Sequence, residues 1–228
     1  MPTGRRVAQG ETSTQILDIS ERLVQNRGFN GFSYGDVAAE LQITTAALHY
    51  HFPGKGELGE ALVARYATRF AEALLALDAE PDARAKLDGY ASLYLDVLQQ
   101  RRMCLCGMLA AEYETLPEAM RTALLRFFDD NERWLEAVLE RGREDGTLQF
   151  SGAPSDAARM IVGALEGAML VARPYGDVAR FKDAAARLIA GLTTASADHA
   201  PSSARRRRGQ AGSKAATGRS PTTPRSRR

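Results

Sequence analysis

Apolar residues recur along this chain at spacings of three and four, with Ala, Leu, Glu and Arg between them. Strands would need Val/Ile/Thr-rich runs alternating with period two, so the pattern predicts an all-α fold. Ile16, Leu17, Ser20, Leu23 and Val24 form one stripe of a first helix, started near residues 12–14 and stopped at Gly28. Ser33 with Asp36 three residues later has the form of an N-cap with an acid at N3, opening a short helix over 34–41. Thr44 caps the next, over 45–51, and Phe52-Pro53-Gly54 closes it.

After this trio the helices lengthen. One spans 55–77 with Leu58, Leu62, Tyr66, Phe70 and Leu74 on one side, and others span 82–100 and 105–115. Pro117 suits the first residue of a further helix, which runs through Met120, Leu124, Phe127, Phe128, Leu135 and Leu139 to about Asp145-Gly146. Two more, over 154–172 and 177–192, are separated by Pro174-Tyr175-Gly176, and there is no internal repeat at a fixed period.

Charge divides the chain. The formal balance is +2, yet nine Lys and Arg and no acid lie beyond Asp198, which leaves 21 basic against 28 acidic residues before it. The last 30 residues lack Leu, Ile, Val and aromatics, so they cannot bury a core and are expected to be a disordered Arg-rich tail. The richest apolar segment, 160–172, is interrupted by Glu166 and is too short to span a bilayer. Basic residues at the N-terminus have no apolar stretch behind them, so no secretory signal is expected and the expected location is the cytoplasm. Cys104 and Cys106 make neither a disulfide framework nor a complete zinc ligand set.

Two short helices joined through Gln42-Ile43-Thr44 have the dimensions of a helix-turn-helix, whose second helix enters the DNA major groove. The residues narrow the reading. Arg27-Gly28-Phe29, Phe32-Ser33, Asp36-Val37-Ala38, Ile43-Thr44, Leu48-His49-Tyr50-His51-Phe52 and Lys55-Gly56-Glu57-Leu58 resemble the N-terminal domain of the tetracycline-repressor (TetR) family, continuously over about residues 12–66. The resemblance implies a three-helix DNA-binding domain joined by a long fourth helix to an all-α ligand-binding and dimerisation domain. The expected divisions are a flexible N-terminus over 1–11, the DNA-binding domain over 12–57, the effector and dimerisation domain over 58–195, and the tail over 196–228.

Roles follow position by position. Ser33, Tyr34 and Thr44 lie at helix starts, where free N–H groups favour a phosphate and set register. Thr45 and Ala46, at the tip of the recognition helix, suit base-edge contact, including a thymine methyl. His49, Tyr50 and His51 carry donors toward phosphate or groove, and Lys55 stands where the family usually contacts phosphate. His49 replaces the family's usual Tyr, and Gln42 its usual Gly, which asks a side chain to accept a left-handed backbone. His49 and His51 point about 200° apart around a helix, which excludes a shared metal ion.

In the second half Tyr90, Tyr94, Cys104, Met108, Phe127, Trp134 and Met169 are the expected lining of an effector pocket, most large side chains there being core. Cys104 to Glu112 resembles a segment of one TetR subgroup, and Arg101 and Arg102 beside a helix start would favour a Cys104 thiolate, but the reading given more weight is a buried, small apolar cysteine. No cofactor is expected. The implied partners are operator DNA, a small mostly apolar or electrophilic effector, and a second copy joined through the last two helices, with no membrane. The motifs of hydrolase, nucleotide-binding and zinc-protease sites are absent, so catalysis is not expected. The whole reads as a ligand-responsive, sequence-specific DNA-binding regulator, a repressor released from its operator by a small molecule, against the alternative of a sequence-tolerant DNA-compacting protein using the basic tail.

Residues 1–57 hold five basic and six acidic side chains, so the DNA-reading part is not basic overall. Deleting residues 199–228 should therefore lower DNA affinity and flatten its dependence on salt while leaving the preferred sequence unchanged, measured as the slope of log K against log salt concentration.

Overall fold

A computed structural model describes residues 3–193, with side chains from residue 10 onward; the expected tail lies outside the described residues. Among them every regular element is helical. Helix α1, Thr3–Arg27, begins well before the expected start at 12–14. The Thr14 hydroxyl donates back to the Gly10 carbonyl (3.0 Å), so it serves inside the helix rather than capping it. Gly28, at φ +83°, ends the helix in the left-handed region that glycine adopts without a side-chain clash.

The next two helices have the expected limits because their signals are local. α2, Tyr34–Leu41, starts on a complete capping box: the Ser33 hydroxyl accepts from Asp36 N–H, and Ser33 N–H donates to the Asp36 carboxylate (2.7 Å). Gln42 takes the left-handed conformation at φ 55° and ψ 38°. α3, Thr45–His51, is capped by Thr44, whose Oγ1 accepts from Ala47 N–H (3.2 Å). α2 packs on α1 and on α3, and Val37 and Leu48 are wholly buried.

α4, Lys55–Leu77, buries Leu58, Leu62, Tyr66, Phe70 and Leu74, one per turn, as its four-residue spacing requires. α5, Ala83–Gln99, is capped by Asp82. α6, Leu105–Ala111, is shorter than expected, with Tyr113–Thr115 forming a separate 3₁₀ turn after Glu112. The break coincides with Glu112 turning its carboxylate to the backbone of residues 29 and 30. α7 is Glu118–Glu144, so Pro117 is its cap rather than its first residue. α8, Pro154–Tyr175, continues past the expected end at 172, because Pro174 falls in the last turn and Gly176, at φ +59°, makes the stop. α9 is Val178–Thr193.

α7 packs along α8 and α8 along α9, while α4 and α5 cover α7 and α5 also covers α9. The interior runs unbroken from Ile16 and Phe32 through Leu62 and Phe70 to Leu165 and Ile189. No helix among the described residues is long and apolar enough to cross a membrane.

α1 meets α4 and α6. Glu21 of α1, 7% exposed, accepts from Arg65 (2.9 Å) and Arg69 (2.6 Å), and Arg65 also reaches Asp18 (2.7 Å). Replacing Gln42 by Gly should raise stability by about 1 kcal/mol, since the left-handed backbone penalises any Cβ; a higher urea midpoint with an unchanged slope would register it.

Candidate nucleic-acid interface and effector cluster

α3 turns Leu48 inward and leaves Thr45, Ala46, His49 and Tyr50 exposed, with Thr44 at its exposed start. Tyr50 is 70% exposed. Thr45 and Ala46 therefore share one outer side with His49 and Tyr50 a turn later, a surface shaped to enter a groove N-terminus first. Ser33 is exposed too, with its hydroxyl donating to Asp36 (2.6 Å) inside the capping box.

The remaining expected contact residues are tied inward. The Tyr34 hydroxyl lies 2.6 Å from the Gly54 carbonyl and 2.9 Å from that of Phe52, able to donate its proton to either, which clamps the start of α2 to the turn before α4. Burial, with the charge of Glu57 nearby, pushes this phenol up to about 12. The Lys55 ammonium donates to the Phe32 carbonyl and sits over the rings of Phe29 and Phe32, 4.8 and 4.4 Å from their centroids. Burial lowers its pKa, opposed by Glu112 and Asp36. His51 is half-buried with Nδ1 2.9 Å from Ser13 Oγ. His49 Nδ1 meets the Pro53 carbonyl (2.9 Å), and its ring packs on that of Tyr34 at 4.7 Å. Nearby basic side chains are paired, Arg22 with Glu40 and Arg27 with Asp36.

In the second half the structure brings five of the seven expected pocket residues into one buried cluster, with Trp134 and Met108 packed against it. Tyr90, Tyr94, Cys104, Phe127 and Met169 are all at most 2% exposed. Trp134, half-buried, stacks on Tyr90 at 5.8 Å, and Phe70 meets Tyr90, Tyr94 and Phe127 edge to face. Tyr90 donates to Asn131 Oδ1 (3.1 Å), while Asn131 donates to the Phe127 carbonyl (2.7 Å). Met108 is partly buried at the cluster's margin, its sulfur 3.7 Å from Arg173 Nη1.

The fold gives Cys104 the buried setting that the sequence reading favoured over a thiolate. Cys104 is 2% exposed, and burial pushes its thiol up, with the carboxyl of Glu166 adding to the shift. Tyr66 O–H donates to its sulfur (3.6 Å). Arg101 is exposed, and Arg102 lines a separate hollow with Asp18, Glu21, Arg65 and Arg69, so the two cations that the sequence places beside Cys104 serve other surroundings. Cys106 is buried and raised likewise.

Three residues outside the expected set organise this region. Glu166 of α8 faces Gly107 of α6, its Oε1 sealed from solvent with no hydrogen-bond partner. Glu112 accepts from Phe29 N–H (2.5 Å) and Asn30 N–H (3.3 Å), tying α6 to the start of the α1–α2 turn. Arg173 of α8 donates to the Asn26 carbonyl in the last turn of α1. Glu166 had a visible signal, a lone acid in the most apolar stretch of the chain. Arg173 had none.

Two family models match the chain: the tetR family of bacterial regulatory proteins over residues 16–62, and the tetracyclin-repressor-like C-terminal domain over 83–188. A TetR-family regulator from Agrobacterium tumefaciens superposes with a TM-score of 0.79 at 30% identity, covering 82% of this chain and all of that one. The chain belongs to the TetR family. It is also similar to the transcriptional repressor NemR of Escherichia coli K12, 27% identical over 168 residues, covering 72% of this chain and 84% of NemR. The reduced form of E. coli NemR superposes with a TM-score of 0.69 at 26% identity, covering 80% of this chain and 98% of that one. The transcriptional repressor DhaR of Mycobacterium sp. strain GP1 is 21% identical over 166 residues, covering 72% of this chain and 83% of DhaR. As a TetR-family regulator it binds DNA through the helix-turn-helix described above; the family match lends the DNA-compacting alternative no support.

Burial pushes Glu166 from the ordinary 4.5 up to about 7, against a smaller opposite effect of Cys104. A raised carboxyl favours the folded state fully below about 4.5, and that advantage is lost as pH rises to about 7. Glu166→Gln should flatten this slope, gaining up to ~3 kcal/mol over the wild type between pH 4.5 and 8. Urea melts across that range read the difference directly.

Proposed function

We propose that the chain is a homodimeric, non-catalytic repressor of the cytoplasm that leaves its operator when a small molecule binds the second domain. The divisions proposed are 12–57 for DNA reading and 58–195 for effector binding and dimerisation, with 1–11 and 196–228 as flanking segments. The observation that carries the reading is the capped α2–α3 pair, which presents Thr44, Thr45, Ala46, His49 and Tyr50 together at the outer side of α3. Ser33 and Thr44 set register through phosphate, and Tyr34, His51 and Lys55 hold the surface from behind. NemR and DhaR, both named as repressors, favour repression over activation.

Dimerisation is assigned to α8 and α9. α8 exposes Met160, Leu170, Val171 and Tyr175, and a Cβ added at Gly163 or Gly167 would meet no atom within 4 Å, so a second copy can approach closely there. A mostly apolar or electrophilic effector would displace Tyr90, Tyr94, Phe127 and Trp134 about Cys104 and Met169, with Met108 at the margin toward Arg173. Displacement reaches α1 through Glu112 and Arg173, and the effector lowers operator affinity by binding the two states with different affinity.

Selection from a random duplex pool should enrich a near-palindrome whose half-site centres lie about 34–36 Å apart. Thr45→Ala should shift preference at one base pair of each half-site by about 1–3 kcal/mol. A pool that emerges unenriched would sink the reading in favour of sequence-tolerant binding.

A further inference from the structure

Between the end of α5 and the turn joining α8 to α9 lies a hollow of about 480 Å³, lined by Leu98, Arg101, Ala172, Arg173, Asp177 and Val178 among others. That volume is of the size that small-molecule sites use. Two guanidinium side chains belong to its wall, and neither is ion-paired with a carboxylate among the described residues. The acid at its rim is occupied: Asp177 accepts from Ala179 N–H (3.0 Å) and lies 3.5 Å from Arg180 Nε.

Both arginines are held in ways that leave charge unspent. Arg101 closes α5 at φ 60°, its N–H on the Leu98 carbonyl (2.8 Å), a position that glycine takes without strain. An arginine there places a cation at the hollow at a conformational cost. Arg173 donates to two neutral acceptors, the Asn26 carbonyl and the Met108 sulfur. A carboxylate is a stronger acceptor for a guanidinium than either, and it can take both arms of the fork at once.

We propose that this hollow binds an organic monocarboxylate, with the anion between Arg101 and Arg173 and the apolar body against Leu98, Ala172 and Val178. Occupation draws Arg173 off the Asn26 carbonyl and so loosens the last turn of α1. The site is distinct from the aromatic cluster around Tyr90, and its consequence for DNA rests on the operator reading above.

Calorimetry on the full chain without DNA tests the site, with 4-phenylbutyrate as probe and 4-phenylbutyramide as its neutral counterpart at equal ionic strength. The carboxylate should saturate one site per chain and bind at least tenfold tighter than the amide. Arg101→Gly and Arg173→Gln should each weaken the carboxylate at least tenfold and leave the amide unchanged. Arg101→Gly should at the same time raise the thermal midpoint, which separates lost binding from lost fold. Equal binding of acid and amide, no saturable carboxylate binding, or wild-type affinity in both variants would overturn the site. With a selected operator duplex, saturating 4-phenylbutyrate should weaken wild-type binding at least fivefold and leave Arg101→Gly unaffected. Carboxylate binding that leaves operator affinity unchanged would overturn the Arg173 linkage. Failure to select any operator would sink the regulator reading instead, and the calorimetry would still decide the site.

Discussion

At the end of α1 the backbone leaves the helix through Gly28, and the carbonyls and N–H groups around it lose their helical partners. Groups from the larger helical body supply the replacements. Met103 N–H bonds the Gln25 carbonyl (3.2 Å), Arg173 takes that of Asn26, and Glu112 receives Phe29 and Asn30. Backbone groups buried without partners are costly, so this short stretch registers the DNA-reading helices on the helices that carry the aromatic cluster. The Glu21 pair with Arg65 and Arg69 fixes the same helix further back, against α4. A shift of α6 or α8 therefore cannot leave α1 where it was.

The interior that these anchors lead to contains polar groups of two kinds. Tyr90, Tyr94 and Asn131 satisfy one another and the Phe127 carbonyl, which makes their arrangement specific and stiff. Glu166 keeps an unpartnered oxygen beside them and prefers its neutral form. The same surroundings hold the Cys104 thiol in its protonated form. A thiolate needs a neighbouring cation or water, and this thiol has instead a phenol and a carboxyl. The cations adjacent in sequence point elsewhere.

Much of the fold and of the reading surface was legible from residues one to four positions apart. The Ser33–Asp36 box, the Thr44 cap, the left-handed Gln42 and the four-residue stripe of α4 all appear as the sequence led one to expect. So does the outward display of Thr45 and Ala46, because Leu48 decides which side of α3 is inside. One discrepancy has a local cause and the other a distant partner. Thr14 bonds within α1 rather than capping it, and α6 gives way at Glu112.

The sequence by itself determined the helices, their caps and the family, since these depend on backbone propensity and a 3.6-residue period that short windows contain. Only the tertiary structure decided which polar side chains face the solvent and which tie the chain together. Tyr34, His51 and Lys55 turned inward, Cys104 was shut away, and Arg173 reached Asn26 across 147 positions. A side chain's partner is set by what packs against it, and for these residues that partner lies too far along the chain for any periodicity to announce it.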